Sequence, residues 1–290
     1  MTSNTSGEIN LTAMNSHSDL QMIDYLDQRR GKIISNTGGW FPGKGVFSHG
    51  YSMLEELVGK KTYFQTLILN ATGRLVDKPL ADWVEALYGC LSWPDPRIWC
   101  NQIGALAGTV RTSVISATAM GSLAADSRMY GVLPLLESVE FIRGALVKHQ
   151  NGMSAIEIID EAFANCRGGK PYIMGYRRPI AKGDERLEVM EKVGRQLGFA
   201  IGPHVQLAYD IEKNLLEKID EGMNINGYMS AFLADQGFTP QEAYQMFAML
   251  VASGVTACYL DTYHRPPDTF LPLRCEDIDY QGAARRAVPD

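Results

Sequence analysis

Residues 171–186 read PYIMGYRRPIAKGDER. Gly175, the adjacent Arg177 and Arg178, a proline, and then Asp184 and Arg186 crowd a short linker between two segments of helical periodicity. Arginine stays charged at any physiological pH and presents a planar fork of donors that matches carboxylate or phosphate oxygens. Clustered in a glycine-bearing loop, these side chains fit an anionic small-molecule site. Taken alone they fit a solvated basic turn better, as an arbitrary arginine pair does.

The whole chain narrows the choice. Its 290 residues, 46% hydrophobic and 21% charged, are enough to bury a large core in one globular domain or in one domain plus a small lobe. A net charge of -6 and scattered arginine pairs supply no basic field for nucleic acid. Cys90, Cys100, Cys166, Cys258 and Cys275 are odd in number and lack CxxC spacing, which argues against a disulfide framework or a zinc site and for a reducing, cytoplasmic setting. Residues 1–18, rich in Ser, Thr and Asn, read as a disordered tail without a signal-peptide pattern. No apolar run reaches the roughly 18 residues needed to span a membrane.

Outward from the loop, apolar residues recur at three- and four-residue spacing. Helices are expected near 19–30, 52–59, 62–71, 79–91, 100–125, 132–150 and 153–165 before it, and near 184–198, 202–221, 224–236 and 240–258 after it. Pro79 suits a first helical turn, and Thr239 with Glu242 reads as a cap with a first-turn acid. The small residues of GALAGTVRTSVISATAMGSLAA predict a buried central helix over 100–125. Only the glycine-rich stretch 32–50 predicts a hairpin or extended connection. The fold class is all-α with a short N-terminal β element.

Four landmarks then occur in order. They are KGVFSHGYSMLEELVGKKTYFQTLILNATGRLVDK (44–78), WPDPRIWCNQIGALAGTVRTS (93–113), IMGYRRPIAKGDER (173–186) and NINGYMSAFLADQGFTPQEAYQMFAMLVASG (224–254). Together they resemble the citrate synthase superfamily over roughly residues 44–282, the third matching the loop written GFGHRVYKxxDPR and the fourth the helix that opens with NVD. In length the chain is closer to citryl-CoA lyases and to the citrate-synthase-like module of ATP-citrate lyase. The resemblance implies a homodimer of two-lobed helical protomers: a large lobe at 19–167, a small lobe at 168–260, and a C-terminal segment at 261–290 returning to the large lobe or the dimer partner. It implies a small-molecule carboxylate and an acyl thioester such as acyl-CoA as partners, coenzyme A thioester being a co-substrate, with no tightly bound cofactor and no metal.

In that family a carboxylate takes a proton from an acyl thioester, one histidine stabilises the enol, a second protonates the oxo acid, and arginines clamp carboxylates. This chain departs from the pattern at each acid or base. The loop histidine falls on Arg177, whereas Arg178 and Arg186 match the loop's arginines. Asn226 stands where the carboxylate base would be, and an amide cannot take up a carbon-bound proton. Met129 or Tyr130 stands at the enol-stabilising histidine, and Arg97 lies near the position of the first substrate histidine. Arg265 and Arg274 fall in the segment where the family supplies further carboxylate-binding arginines. Of five histidines, His49 and His264 are placed to line a site; Tyr172 and Tyr176 flank the arginine loop as weak acids or as wall packing. Cys100 and Cys258 read as buried packing. The expected activity is therefore a divergent making or breaking of a C–C bond between an acyl thioester and a 2-oxo acid or related carboxylate, other than ordinary citrate synthesis. The alternative is a non-catalytic carboxylate- or CoA-binding scaffold on the same fold.

Overall fold

The computed structural model describes residues 19–128, 131–166, 170–178 and 183–288. Their packing separates a short first unit, up to Lys60, from a second that starts at Lys61. The first holds helix α1 (Asp19–Asp27), strands β1 (Gly38–Phe41), β2 (Gly45–Ser48) and β3 (Tyr51–Ser52), and a π-helical turn at Met53–Leu57. The strands form an antiparallel meander in the order β1-β2-β3, with Gly39 opposite Phe47 and Ser48 opposite Tyr51. A Cβ on Gly38 would meet the backbone of Phe47 and Ser48, so glycine is what lets the ribbon close there. The hairpin expected within 32–50 thus exists and gains a third strand.

The second unit is helical: α2 (Tyr63–Thr72), α3 (Lys78–Leu91), α4 (Trp99–Thr109), α5 (Val114–Ala125), α6 (Pro134–Gln150), α7 (Ala155–Ala164), α8 (Arg186–Gln196), α9 (Pro203–Ile219), α10 (Ile225–Asp235), α11 (Pro240–Met246) and α12 (Ala252–Tyr263). Local chemistry accounts for most of the boundaries. Thr62 with Gln65, Ser154 with Glu157 and Thr239 with Glu242 form reciprocal capping boxes, and Asp77 caps α3 through the Leu80 amide. Gly73, at φ 75°, closes α2 in the left-handed conformation.

Two expected helices are each broken into two. Residues 100–125 give α4 and α5, because Arg111 takes φ 60° and Ser113 turns its hydroxyl to the Ser116 amide as a new cap. The Arg111 guanidinium stabilises this break by donating to the carbonyls of Gly108, Thr262, Tyr263 and Arg265. Residues 240–258 give α11 and the start of α12. The Tyr88 hydroxyl donates to the Met246 carbonyl at 2.5 Å, and Leu250 bonds Phe247 instead of continuing the helical ladder.

One main core runs through α2, α3 and α6–α11, with Trp83 stacked on Phe232 at 3.8 Å between ring centroids. Smaller clusters join α4, α5 and α12. There the small residues do what they are suited for: a Cβ on Gly104 or Gly121 would collide with Val255, and one on Gly108 with Thr262 and Tyr259. The buried central helix expected over 100–125 is not what forms. Ala117, Gly121 and Ala125 are buried, whereas Ile115, Ala119 and Leu123, on another side of α5, are exposed. The physical reason is that small side chains bring only one face of α5 against its neighbours.

Candidate functional site

The arginine loop and the start of α10 are built against each other. Gly175 has φ 95°, and a Cβ there would lie 2.8 Å from the Gly227 Cα; one on Gly227 would meet the Gly175 carbonyl in turn. Two glycines back to back let the chains touch at backbone distance. The Asn224 amide donates to the Gly175 carbonyl at 2.9 Å, and Asn224 Nδ2 to the Arg177 carbonyl at 2.5 Å. Asn224 Oδ1 caps α10 by accepting from Asn226 N at 2.9 Å and Gly227 N at 3.3 Å. Asp184 Oδ2 accepts from Ile225 N at 2.9 Å. The first three amides of α10 are thereby satisfied by side chains.

Asp184 organises them. Its side chain has no exposed surface, and it takes Arg186 Nε at 2.7 Å and a terminal guanidinium nitrogen at 2.6 Å. Burial alone would push its carboxyl up, but the hydrogen bonds and charge of Arg186, together with the Ile225 and Arg186 amides, hold it below the usual carboxylate range. Arg178 lies 3.6 Å from the same carboxylate and forms a fork with Glu185 at 2.5 and 3.1 Å. That contact draws the Glu185 carboxyl down to about 2 and raises the Arg178 guanidinium further. Arg177 is half exposed, with Nε 3.8 Å from Glu221, which also pairs with Lys170. Cys90, at the end of α3, sits within the field of Arg186, Asp184 and Glu185; burial is the larger influence and pushes its thiol up.

Asn226 is half-buried, and its Nδ2 donates to Ser138 Oγ of α6 at 2.6 Å. Ser138 is 2% exposed, so α6 orients the Asn226 amide. Asp184 thus links Arg178 and Arg186, and Asn224 the Arg177 carbonyl, to the first turn of α10, which carries Asn226. Tyr130 and Met129 lie outside the described residues.

The remaining candidates have local contacts of their own. Arg97 precedes α4 with its side chain largely exposed and folded back on Asp95, whose carboxyl is held low by that contact. Arg265, just beyond α12, pairs with Asp261 at 2.7 Å. Arg274 is exposed in the C-terminal segment, its amide bonded to Asp277 Oδ2 at 2.7 Å. His49 belongs to the first unit, in the β2–β3 turn at φ 49°, with Nδ1 3.2 Å from Ser48 Oγ. Cys100 and Cys258 are buried among α4 and α12, as their apolar surroundings predict. Of the two readings of Tyr176, weak acid or wall packing, the structure takes the second: it is 3% exposed, donates to the Ala208 carbonyl at 3.3 Å, and burial pushes its phenol far up.

Sequence reading overlooked Asn224, Ser138 and Glu185. Asn224 had a signal, an asparagine just before a helical segment. Ser138 had none, because its partner is 88 residues away. Glu185 was open to notice as an added charge beside arginine.

The folded chain is similar to citryl-CoA lyase from Hydrogenobacter thermophilus, with a TM-score of 0.75 at 21% identity over 89% of this chain and 97% of the other. The chain has the citrate synthase fold. ATP citrate lyase from Methanothrix soehngenii, solved with citrate and coenzyme A, superposes on that fold with a TM-score of 0.70 at 15% identity, over 98% of this chain and 47% of the longer enzyme. Citrate synthase from Thermoplasma acidophilum, solved as a ternary complex with carboxymethyl coenzyme A and oxaloacetate, gives 0.59 at 15% identity over 79% of this chain and 59% of the other. No family model and no curated protein matches the sequence. The citrate synthase fold is therefore carried by the path of the chain far more than by its residues.

Proposed function

We propose that this chain makes or breaks a C–C bond between an acyl thioester and a 2-oxo acid or related carboxylate. The observation that carries the reading is that Asp184 joins Arg178 and Arg186 to the first turn of α10, which carries Asn226, at the Gly175–Gly227 contact of a citrate synthase fold. The forks are suited to a substrate carboxylate. Asn226 donates or accepts a hydrogen bond but removes no proton from carbon.

A nucleophile that needs no base reconciles these facts. In a malonyl-type thioester, breaking the bond to the terminal carboxylate releases carbon dioxide and leaves its electron pair as the thioester enolate. That carbon attacks the carbonyl of the 2-oxo acid, the new alkoxide is stabilised by guanidinium charge, and a proton from water completes the hydroxyl. Arg177, half exposed where the family has a histidine, is the cation assigned to that alkoxide or to the enolate. Mass spectrometry of products from a panel of acyl-CoAs and 2-oxo acids tests this: products should require the malonyl-type donor, and equal turnover with acetyl-CoA would refute the decarboxylative route.

A second reading, a non-catalytic carboxylate- or CoA-binding scaffold, is favoured by the pairing of Arg177, Arg178 and Arg186 with internal carboxylates. Calorimetric binding of citrate, oxaloacetate or CoA esters without turnover of any pairing would establish it. The proposal also includes a homodimer formed through the exposed Ile115, Ala119 and Leu123 stripe of α5, and a small lobe at 168–260 that closes over the cleft. The C-terminal segment from 261 would return to the large lobe or reach the partner. A cytoplasmic setting agrees with five free cysteines.

A further inference from the structure

Arg178 and Arg186 are held by two different kinds of carboxylate. Asp184, on Arg186, has no exposed side-chain surface and is also bound to the Ile225 amide, so it belongs to the frame of the loop. Glu185, on Arg178, has a side chain 74% exposed, while the Arg178 side chain it pairs with is only 12% exposed. The partner on the Arg178 fork is thus the solvent-exposed member of the pair. Both bonds of the fork go to the two oxygens of one carboxylate, the arrangement a substrate carboxylate would adopt.

We propose that Glu185 is a displaceable internal carboxylate that occupies the Arg178 fork until a substrate carboxylate takes its place, and that it thereby sets the affinity and charge preference of the site. The inference rests on the reading of Arg178 as an anion clamp. The exchange is like for like: one bidentate carboxylate leaves and another arrives, so guanidinium and ligand keep the same hydrogen-bond count. Glu185 immediately precedes α8, so on release its charge stays near that helix's N-terminus and is solvated rather than buried. Two consequences follow from its remaining nearby. The substrate has to overcome an exposed ion pair, which lowers its affinity by a modest factor. The displaced charge also repels any further carboxylate on the ligand, so the penalty grows with ligand charge.

Titration calorimetry on the full chain at low ionic strength, with citrate and pyruvate as probes, tests the proposal in wild type, Glu185→Gln, Arg178→Gln and the double variant. Glu185→Gln should bind citrate about two- to fivefold more tightly, the range an exposed ion pair is worth. Pyruvate should gain less, and both gains should vanish when Arg178→Gln is added. Equal citrate affinity in wild type and Glu185→Gln, with loss in Arg178→Gln, would leave the arginine clamp standing and overturn the role of Glu185. Binding of neither probe by wild type or Glu185→Gln would overturn the clamp and the latch together. An equal gain for both probes would refute the charge preference.

Discussion

Asp184→Asn is the most informative perturbation of the site, because Asp184 joins the arginines of the loop to the first turn of α10 through a side chain with no exposed surface. The change keeps shape and removes charge. Asp184 Oδ1 takes Arg186 Nε at 2.7 Å and the Arg186 amide at 3.2 Å, while Oδ2 takes the Arg186 terminal nitrogen at 2.6 Å and Ile225 N at 2.9 Å. An asparagine keeps one acceptor and turns an NH2 group toward the donors of the other set. Removing one partner of a fully buried pair costs about 3–5 kcal/mol. Arg186 retains 22% side-chain exposure, so water recovers part of its solvation and the expected cost falls to about 2–3 kcal/mol. For a chain this large that lowers the melting midpoint by about 4–6 °C. Urea unfolding and scanning calorimetry give the value, with Asp82→Asn as the control. Asp82 pairs with Lys78 one turn away on an exposed face, where removal costs about 0.5 kcal/mol or less. A loss for Asp184→Asn no larger than for Asp82→Asn would refute the view that Asp184 frames the loop.

Gly175→Ala should destabilise by about 3 kcal/mol or more and abolish carboxylate binding, since φ 95° and the Gly227 backbone both oppose a Cβ; Gly183→Ala, at φ 69° in open space, should cost only about 1–2 kcal/mol. Equal losses would show that the Gly175–Gly227 contact does not hold the site together. Asn226→Asp should let the protein exchange the α-protons of acetyl-CoA in deuterated water at least about tenfold faster than wild type, followed by NMR; wild-type exchange at the same rate would contradict the absence of a base. The depressed Glu185 carboxyl contributes stability that is present above its ordinary value near 4.5 and lost as pH falls through about 2. Carbon-13 NMR should therefore find Glu185 ionised at pH 4, and a midpoint near 4.5 would rule out the Arg178 contact. Replacing Ile115 and Leu123 together by Asp should convert a dimer to a monomer in sedimentation; a monomeric wild type would refute that interface.

Much of the fold was legible because its determinants are local. Thr239 with Glu242 announced the start of α11, Pro79 the first turn of α3, and the glycines of 38–50 the ribbon. The order of four motifs carried the fold class through to the structure. The breaks at 110–113 and 247–251 were not legible, because they depend on Arg111 reaching the end of α12 and on Tyr88 taking the Met246 carbonyl. The same division runs through the site. By itself the sequence determined which groups are present: arginines at 177, 178 and 186, and an amide at 226. Only tertiary structure decided what each is doing. Asp184 is fixed in the frame, Glu185 lies in the open on Arg178, and Ser138 holds Asn226, because charge pairing and burial depend on distance in space, and Asn226 and Ser138 are 88 residues apart along the chain.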